Sequence, residues 1–251
     1  MSNELHFERS PLMEAVIEIQ VQAPASVSLD TLATMQQDQE KNYPTRRNRV
    51  FVEGVLSVDP DTPVATGNRV QLGYDFVSTD ERYIVSARLD AFSFSRLAPY
   101  ERWSSFRDEA HRWWTIYRTI VKPLVITRVA VRYINRFTLP LPVDDLKDYL
   151  RTVPEISPVL LQGLSGYFMQ LQIPQSDIGA MLNLNQAMPP LEPSAPSSAT
   201  VILDIDLFSA DEVPQSDNEI WDYLEILRGR KNEIFLGSIT ERTEALFGRR
   251  R

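Results

Sequence analysis

The sequence contains no cysteine and only two histidines among its 251 residues. The absence of cysteine excludes disulfides, thiol nucleophiles and thiolate metal sites, and it is typical of a cytoplasmic protein. His6 lies near the start of the sequence and His111 on the polar side of a predicted helix. We therefore expect neither a catalytic triad nor a histidine metal site.

Long hydrophobic runs and phosphate-binding loops are absent as well. No stretch of roughly 18 or more apolar residues occurs, and the first residues, MSNELHFERS, lack the apolar core and cleavage site of a signal peptide. No glycine-rich loop for phosphates or dinucleotides occurs, and Gly163–Gly166 (GLSG) lacks the spacing of a nucleophile elbow. We therefore expect a cytoplasmic protein without a cofactor and favour a non-enzymatic role, although an enzyme based on carboxylates or tyrosines stays open.

The charge balance is acidic and limits the choice of partner. The 34 Asp and Glu residues outnumber the 26 Lys and Arg residues, and the net charge is -8 at pH 7. Such a charge disfavours nucleic acids and anionic membranes as partners. The basic clusters at 46–49, 228–231 and 249–251 each have a local explanation, as a loop, the polar face of a helix and the end of a helix. We expect a protein partner or a homo-oligomer, with a small anionic ligand as the alternative.

Strands and helices follow from the spacing of apolar residues. Met13–Gln22 alternates strictly between apolar and polar residues, which predicts a half-buried strand. A helix is predicted over about 29–43, before Pro44, and another from Trp103 to Ile120. The other strands predicted in this half are 50–58, 69–78 and 83–95, with a break at Asp90 in the last.

The second half of the chain repeats this pattern. Pro123-Leu124 precedes a predicted strand over 126–137, as Pro11-Leu12 precedes the first strand. Asp204 and Trp221 correspond to Asp90 and Trp103 at nearly constant spacing. The remaining elements predicted here are a short helix over 144–150, strands over 166–173, 178–184 and 200–209, and a helical region from about 218. We predict two diverged tandem repeats, 1–122 and 123–251, in one compact unit that shares a sheet, with chance similarity as the alternative.

The Pro- and Ser-rich segment Gln186–Thr200 (QAMPPLEPSAPSSAT) is the one low-complexity stretch. Because it lies between two predicted strands of the second repeat, we interpret it as a loop insertion and not as a domain linker. We expect this loop to be held against another surface.

Four short blocks carry a resemblance to a known family: PLMEAVIEIQ at 11–20, VRYINRF at 131–137, LDID at 203–206 and EIFLGSITERTEALFG at 233–248. Together they resemble a sporadically distributed bacterial family of uncharacterised proteins of about this length. The resemblance covers most of the chain and implies no particular activity, substrate or cofactor. The patchy distribution of the family implies an accessory role, such as those of mobile elements or defence clusters.

The predicted strand 126–137 places three arginines on one face, because successive side chains of a strand alternate. If the first strands of the two repeats lie side by side, this face meets two glutamates, and Asp204 and Asp206 also point to it. The candidate binding residues on this polar face are Glu14, Glu18, Arg128, Arg132, Arg136, Asp204 and Asp206. They form either cross-strand ion pairs that fix the register or an anion site with Arg132 and Arg136 as clamps.

The carboxylates of Asp204 and Asp206 are spaced to share a divalent cation, but solvated or arginine-paired carboxylates explain such a short pattern better. We predict no metal site. The expected fold is α+β, with a curved, mainly antiparallel sheet from both repeats and the long helices packed on one of its faces, in a TBP-like or helix-grip-like arrangement. The function that we favour is a binding or regulatory protein of an accessory bacterial system that acts through protein contacts, and the alternative is a small-anion binding protein or enzyme.

Overall fold

The computed structural model describes residues 7–57, 64–100, 102–160, 164–190 and 198–248. Nine strands and four α-helices occur in these residues. The strands are β1 (Leu12–Gln22), β2 (Thr45–Ser57), β3 (Val64–Val77), β4 (Tyr83–Arg88), β5 (Ala91–Leu97), β6 (Val125–Pro140), β7 (Tyr167–Gln175), β8 (Ala180–Met188) and β9 (Ser198–Ser209). The helices are α1 (Leu29–Ala33), α2 (Trp103–Val121), α3 (Asp217–Ser238) and α4 (Glu241–Phe247).

The fold is α+β, as the sequence predicts, and its strands form a single antiparallel sheet. The order of the strands is β2-β3-β4-β5-β1-β6-β9-β8-β7. Alternation explains the sheet locally: Ala15, Ile17 and Ile19 of β1 are buried, and the residues between them are half-buried. Among the described residues, no helix combines the length and the hydrophobicity needed to cross a lipid bilayer.

The chain divides into two compact units. Unit 1 contains the described parts of 1–17, 97–101 and 128–251, and unit 2 contains those of 18–96 and 102–127. Each unit has buried aromatic side chains of its own.

Unit 2 is packed around α2. The indole of Trp113 stacks on Phe76 of β3 with 5.8 Å between ring centroids and meets the Tyr43 ring edge-on at 4.8 Å. One turn further along α2, Tyr117 packs on Phe92 of β5 at 5.6 Å. These residues are fully or almost fully buried, so the helical spacing of aromatic residues in the sequence marks the core face of α2.

The core of unit 1 lies between α3 and the strands β6 and β9. Leu224 and Leu227 of α3 are fully buried, as are Leu203 and Ile205 of β9. A cluster of phenylalanine rings continues this core: the ring of Phe247 in α4 lies 5.3 Å from Phe137 of β6 and 5.5 Å from Phe7. Helix α4 therefore packs against Phe7, at the start of the described residues.

Several predicted boundaries are wrong. The helix predicted over 29–43 ends after α1 and one 3-10 turn, Thr34–Gln36, because Asp38 adopts a positive φ of 64° that no helix accommodates. The helix predicted over 144–150 is one 3-10 turn, Leu146–Asp148. The predicted loop 186–200 is partly strand, since β8 extends to Met188 and β9 begins at Ser198; residues 191–197 lie outside the described residues.

Candidate functional site

The candidate face lies on two adjacent strands of unit 1, β6 and β9. They pair antiparallel, with Arg132 opposite Asp206, Ile134 opposite Asp204 and Arg136 opposite Ile202. The alternate residues Val131, Leu203 and Ile205 are fully buried. The alternation that the sequence shows therefore places the arginines and aspartates on the face opposite this core.

Arg132 and Asp204 form a two-pronged ion pair. The Nε of Arg132 donates to Oδ1 of Asp204 at 2.9 Å, and Nη2 donates to Oδ2 at 2.7 Å. The Asp204 side chain is 9% exposed, and the Arg132 side chain is 48% exposed. Asn185 of β8 donates to Oδ2 of Asp204 at 3.2 Å, so both oxygens of this buried carboxylate accept hydrogen bonds. Its hydrogen bonds to Asp204 raise the pKa of Arg132, and burial opposes this rise.

Arg128 and Asp206 form a second pair on the same face. Nη2 of Arg128 donates to Oδ2 of Asp206 at 2.8 Å and to Oδ1 at 3.0 Å. The guanidinium of Arg128 also lies over the ring of Phe208, 4.3 Å from the ring centroid. Both arginines thus lean in the same direction along β9, and each reaches a carboxylate that is not directly opposite to it.

The two glutamates have different surroundings. Glu14 is half-buried in unit 1, and its negative charge also raises the pKa of Arg132 after the larger effects of Asp204 and Asp206. Glu18 belongs to unit 2, where its Oε1 accepts a hydrogen bond from Gln20 at 2.8 Å. The hydrogen bonds of Arg88 to Asp90 raise the pKa of Arg88 there, burial opposes this rise, and the negative charges of Asp90 and then Glu18 add to it.

Arg136 differs from the other arginines of the face. The residue of β9 opposite it is Ile202, and of the two neighbours of Ile202 on this face Thr200 is uncharged and Asp204 is already bound by Arg132 and Asn185. The side chain of Arg136 is exposed and forms no ion pair with a residue that the structure describes. Arg136 instead lines an open groove of about 500 Å³, to which Arg9 contributes a second guanidinium and Ser10, Thr138 and Ser198 contribute hydroxyls.

The candidate face therefore consists of an ion-paired part and a separate part at Arg136. Arg128, Arg132, Asp204 and Asp206 satisfy one another, which is the ion-pair interpretation of the sequence. Arg136 is separate from them and borders a groove, which is the feature that the anion interpretation requires. Within the described residues, no group of three or more His, Asp and Glu side chains is arranged to hold a metal ion.

A second polar site is one that the sequence analysis missed. Lys231 of α3 lies with its Nζ 3.7 Å from the centroid of the Tyr133 ring, beside a cavity of about 80 Å³. Burial, and then the nearby positive charge of Arg228, lower the pKa of Lys231 to about 7. The signal was present in the sequence, because Leu227, Lys231 and Phe235 follow one another at intervals of four and so share the apolar face of the helix. The prediction of a polar helix face over 228–231 is wrong for Arg228, which is buried, whereas Lys231 is half-buried.

No family model matches this sequence, and no curated protein and no solved structure shows significant similarity to the chain.

Proposed function

We propose that this chain is a non-enzymatic binding protein that acts through protein contacts, and that the outer edge of β7 is its contact surface. The observation that carries the proposal is the composition of this strand. Tyr167–Gln175 (YFMQLQIPQ) contains no charged residue, and it ends the order of strands in the sheet. Phe168 on this strand is 70% exposed, and Ile173 is exposed as well.

An edge strand of this composition, unpaired on its outer side among the described strands, is unusual in a monomeric protein. The backbone N–H and C=O groups of an edge strand can pair with another chain, and monomeric proteins usually protect such edges with charged residues or proline. β2, at the other end of the strand order, carries four charged residues in TRRNRVFVEGVLS. β7 has Pro174 near one end and no other protection in its sequence, and no strand of the described residues pairs with its outer side. Addition of a strand at this edge would use these groups.

The partner that we propose is a second copy of this chain. Two copies with a net charge of -8 each repel one another, so a contact between them is most favourable where charge is absent. An antiparallel pair of β7 strands about a twofold axis would bring glutamine, leucine and aromatic side chains together and no like charges. Paired ion networks on the β6–β9 face also leave that face less suited to a ligand than its sequence indicates.

Sedimentation velocity at micromolar concentration tests this proposal. We expect a dimer for the unchanged chain and a monomer for Phe168→Lys, because each lysine would have to lose water on contact with an uncharged strand of the other copy. Ile226→Lys is the matched control: Ile226 is also exposed, on α3, and this variant is expected to stay dimeric. A monomer for the unchanged chain contradicts the proposal, as does a dimer that Phe168→Lys leaves intact.

The proposal also includes a cellular location, a biological role and an origin by duplication. The cysteine-free sequence supports a cytoplasmic protein, and the resemblance of blocks such as VRYINRF supports an accessory bacterial role. The strand order supports two diverged repeats, because β5, β4, β3 and β2 follow β1 outward as β9, β8 and β7 follow β6. We propose on this basis a duplicated, TBP-like or helix-grip-like arrangement of the repeats.

Binding of a small anion is the second candidate function, and the groove beside Arg136 is the observation that favours it. No Asp or Glu side chain is among the described residues that line this groove, whereas two guanidinium groups and three hydroxyls are. Guanidinium groups bind phosphates and carboxylates through two parallel hydrogen bonds. The clamps would therefore be Arg136 and Arg9, and Arg132 would take no part because Asp204 already occupies it.

Thermal unfolding with added ligands tests this second function. At ten times the dissociation constant, inorganic phosphate or a nucleotide would add about 1.4 kcal/mol to the stability of the folded state, which is about 3 to 5 °C in melting temperature. We expect Arg136→Ala to lose this rise and Arg47→Ala, which removes an exposed arginine from unit 2, to keep it. The anion function is excluded if the same rise occurs with potassium chloride of equal ionic strength or persists in Arg136→Ala.

A further inference from the structure

Lys231 is a cation on the inner face of a helix with no counter-charge in the described residues. It lies between Leu227 and Phe235 on α3, both of which are buried. Its Nζ rests on the face of the Tyr133 ring, and Tyr133 is 2% exposed. The contact with an aromatic face offsets part of the cost of burying an ammonium group but replaces neither water nor a carboxylate.

Two effects lower the pKa of Lys231, first its burial and then the positive charge of Arg228. Arg228, one turn earlier on α3, contributes positive charge, and its partner Glu225 lies 3.8 Å from it. Tyr133 of β6 lines the cavity beside Lys231, and so does Tyr100, which lies in the segment before α2. Burial, followed by the effect of Tyr100, raises the pKa of Tyr133 well above its ordinary value, so its phenol stays protonated at neutral pH.

A small cavity adjoins the amine. Its volume is about 80 Å³, which corresponds to two or three water molecules at about 30 Å³ each. The polar residues that line it include Ser10 and Asn135, and Phe7 and Phe235 form part of its apolar wall. The buried Oη of Tyr133 forms no hydrogen bond of ordinary geometry with the described residues, and the Tyr100 ring stands nearly edge-on to the Tyr133 ring at 6.3 Å.

We propose that Lys231 is a nucleophilic amine that captures a small aldehyde or ketone in this cavity as an imine. A lysine becomes nucleophilic when it is desolvated in an apolar pocket or lies beside another cation. Lys231 is half-buried between the buried side chains of Leu227 and Phe235, and Arg228 lies one turn away. The volume of the cavity limits the substituents on the carbonyl carbon to short ones. This inference is independent of the edge of β7 and of the groove beside Arg136.

The reaction needs no oxidant or reductant. The lone pair of Nζ forms a bond to the carbonyl carbon while the carbonyl oxygen takes up a proton, which gives a carbinolamine. Loss of that oxygen as water then gives the C=N bond, and the two protons of the neutral amine leave with it. The hydroxyl of Tyr133 is the group that we expect to pass the proton to the oxygen and to regain it from the nitrogen.

Reductive trapping in the unchanged protein tests the proposal, because the chain contains three other lysines as internal controls. Lys41, Lys122 and Lys147 are exposed. A lysine with the ordinary pKa of about 10.4 has less than about 0.1% of its amine in the neutral form at pH 7. After brief treatment with acetaldehyde and cyanoborohydride at pH 7, peptide mass spectrometry should show ethylation of Lys231 at least about tenfold above each of the other three.

The ratio of Lys231 to the exposed lysines should also depend on pH and on the size of the probe. We expect the preference for Lys231 to decline above about pH 7, because its amine is already half neutral there while the neutral fraction of an ordinary lysine still rises about tenfold per pH unit. Benzaldehyde is too large for the cavity and should label the exposed lysines without this preference. Tyr133→Phe should lower the rate at Lys231 about tenfold and leave the other three rates unchanged.

The proposal is overturned if Lys231 is labelled no faster than Lys41, Lys122 and Lys147. It is also overturned if benzaldehyde shows the same preference as acetaldehyde, because the cavity would then not select the probe. Lys231→Met, checked for folding by its melting curve, identifies the peptide that should disappear from the map.

Discussion

The charges of Arg132 and Asp204 are used to stabilise the sheet, because the two side chains bind one another. Asp204 is almost buried, and its two oxygens receive two hydrogen bonds from Arg132 and one from Asn185. Removal of either charge leaves the other without its partner in a partly desolvated place, which costs more than the pair itself contributes. The pair is therefore best measured by its coupling energy and not by a single substitution.

A double-mutant cycle of Arg132→Ala and Asp204→Asn should give a coupling free energy of about 1 to 3 kcal/mol in urea unfolding. The bidentate geometry and the buried carboxylate are the physical reasons. The control cycle is Arg47→Ala with Glu81→Gln, an exposed pair at 3.8 Å, for which we expect less than about 0.5 kcal/mol. Equal couplings in the two cycles would contradict the assignment of Arg132 to structure.

At the residue scale, the sequence predicted which face a side chain lies on but not which partner it meets. Alternation placed Arg132 and Asp204 on one face, whereas their pairing depends on the register between strands 72 residues apart in the sequence. The same limit hid the cavity beside Lys231, because Tyr100, Tyr133 and Lys231 come from three distant segments. Periodicity shows that Lys231 is on an apolar face and shows nothing of the space next to it.

Elements with a long and regular pattern were predicted well, and short ones were not. β1, β6 and β9 lie within a few residues of their predicted bounds, because each alternates over about ten residues. α1 is much shorter than predicted, since Leu32 and Met35 supply a single helical turn of buried residues and Asp38 then leaves the helical conformation. A pattern of two or three residues does not determine where a helix ends.

The first turn of α3 provides a prediction at the element scale. Ser216 accepts a hydrogen bond from the amide of Glu219 at 3.3 Å, and the Glu219 carboxylate accepts one from the amide of Ser216 at 3.0 Å. These bonds lower the pKa of Glu219. Ser216→Ala should reduce the free energy of unfolding by about 1 kcal/mol, because an amide at the start of the 22-residue helix loses its acceptor.

Urea unfolding with a matched serine variant checks this value. Ser105 is exposed in the first turn of α2, where its hydroxyl donates to the carbonyl of Arg102 and accepts from no amide described for the helix. Ser105→Ala should therefore change the stability by less than about 0.5 kcal/mol. A loss for Ser216→Ala no larger than that for Ser105→Ala would show that the capping box adds nothing to α3.

At the scale of the whole molecule, the sheet has two ends that differ in charge. β2 at one end carries Arg46, Arg47, Arg49 and Glu53, and β7 at the other carries no charge. The sequence predicted an antiparallel sheet, but it could not predict which strands end it, because the order depends on pairings between distant segments. The lack of charge on β7 indicates a contact surface only because β7 lies at the edge of the sheet.

The most direct test of the contact at β7 uses the absence of cysteine from the chain. Single cysteines placed in turn at positions 168 to 173 would each be the sole thiol of the protein, and Ile226→Cys on α3 is the control. Under mild oxidation we predict covalent dimers at the one or two positions of β7 nearest the twofold axis, because only there does a residue of an antiparallel pair face its own copy at disulfide distance. Cross-linking of every β7 position at no more than the level of Ile226→Cys would contradict the claim that two copies meet at this edge.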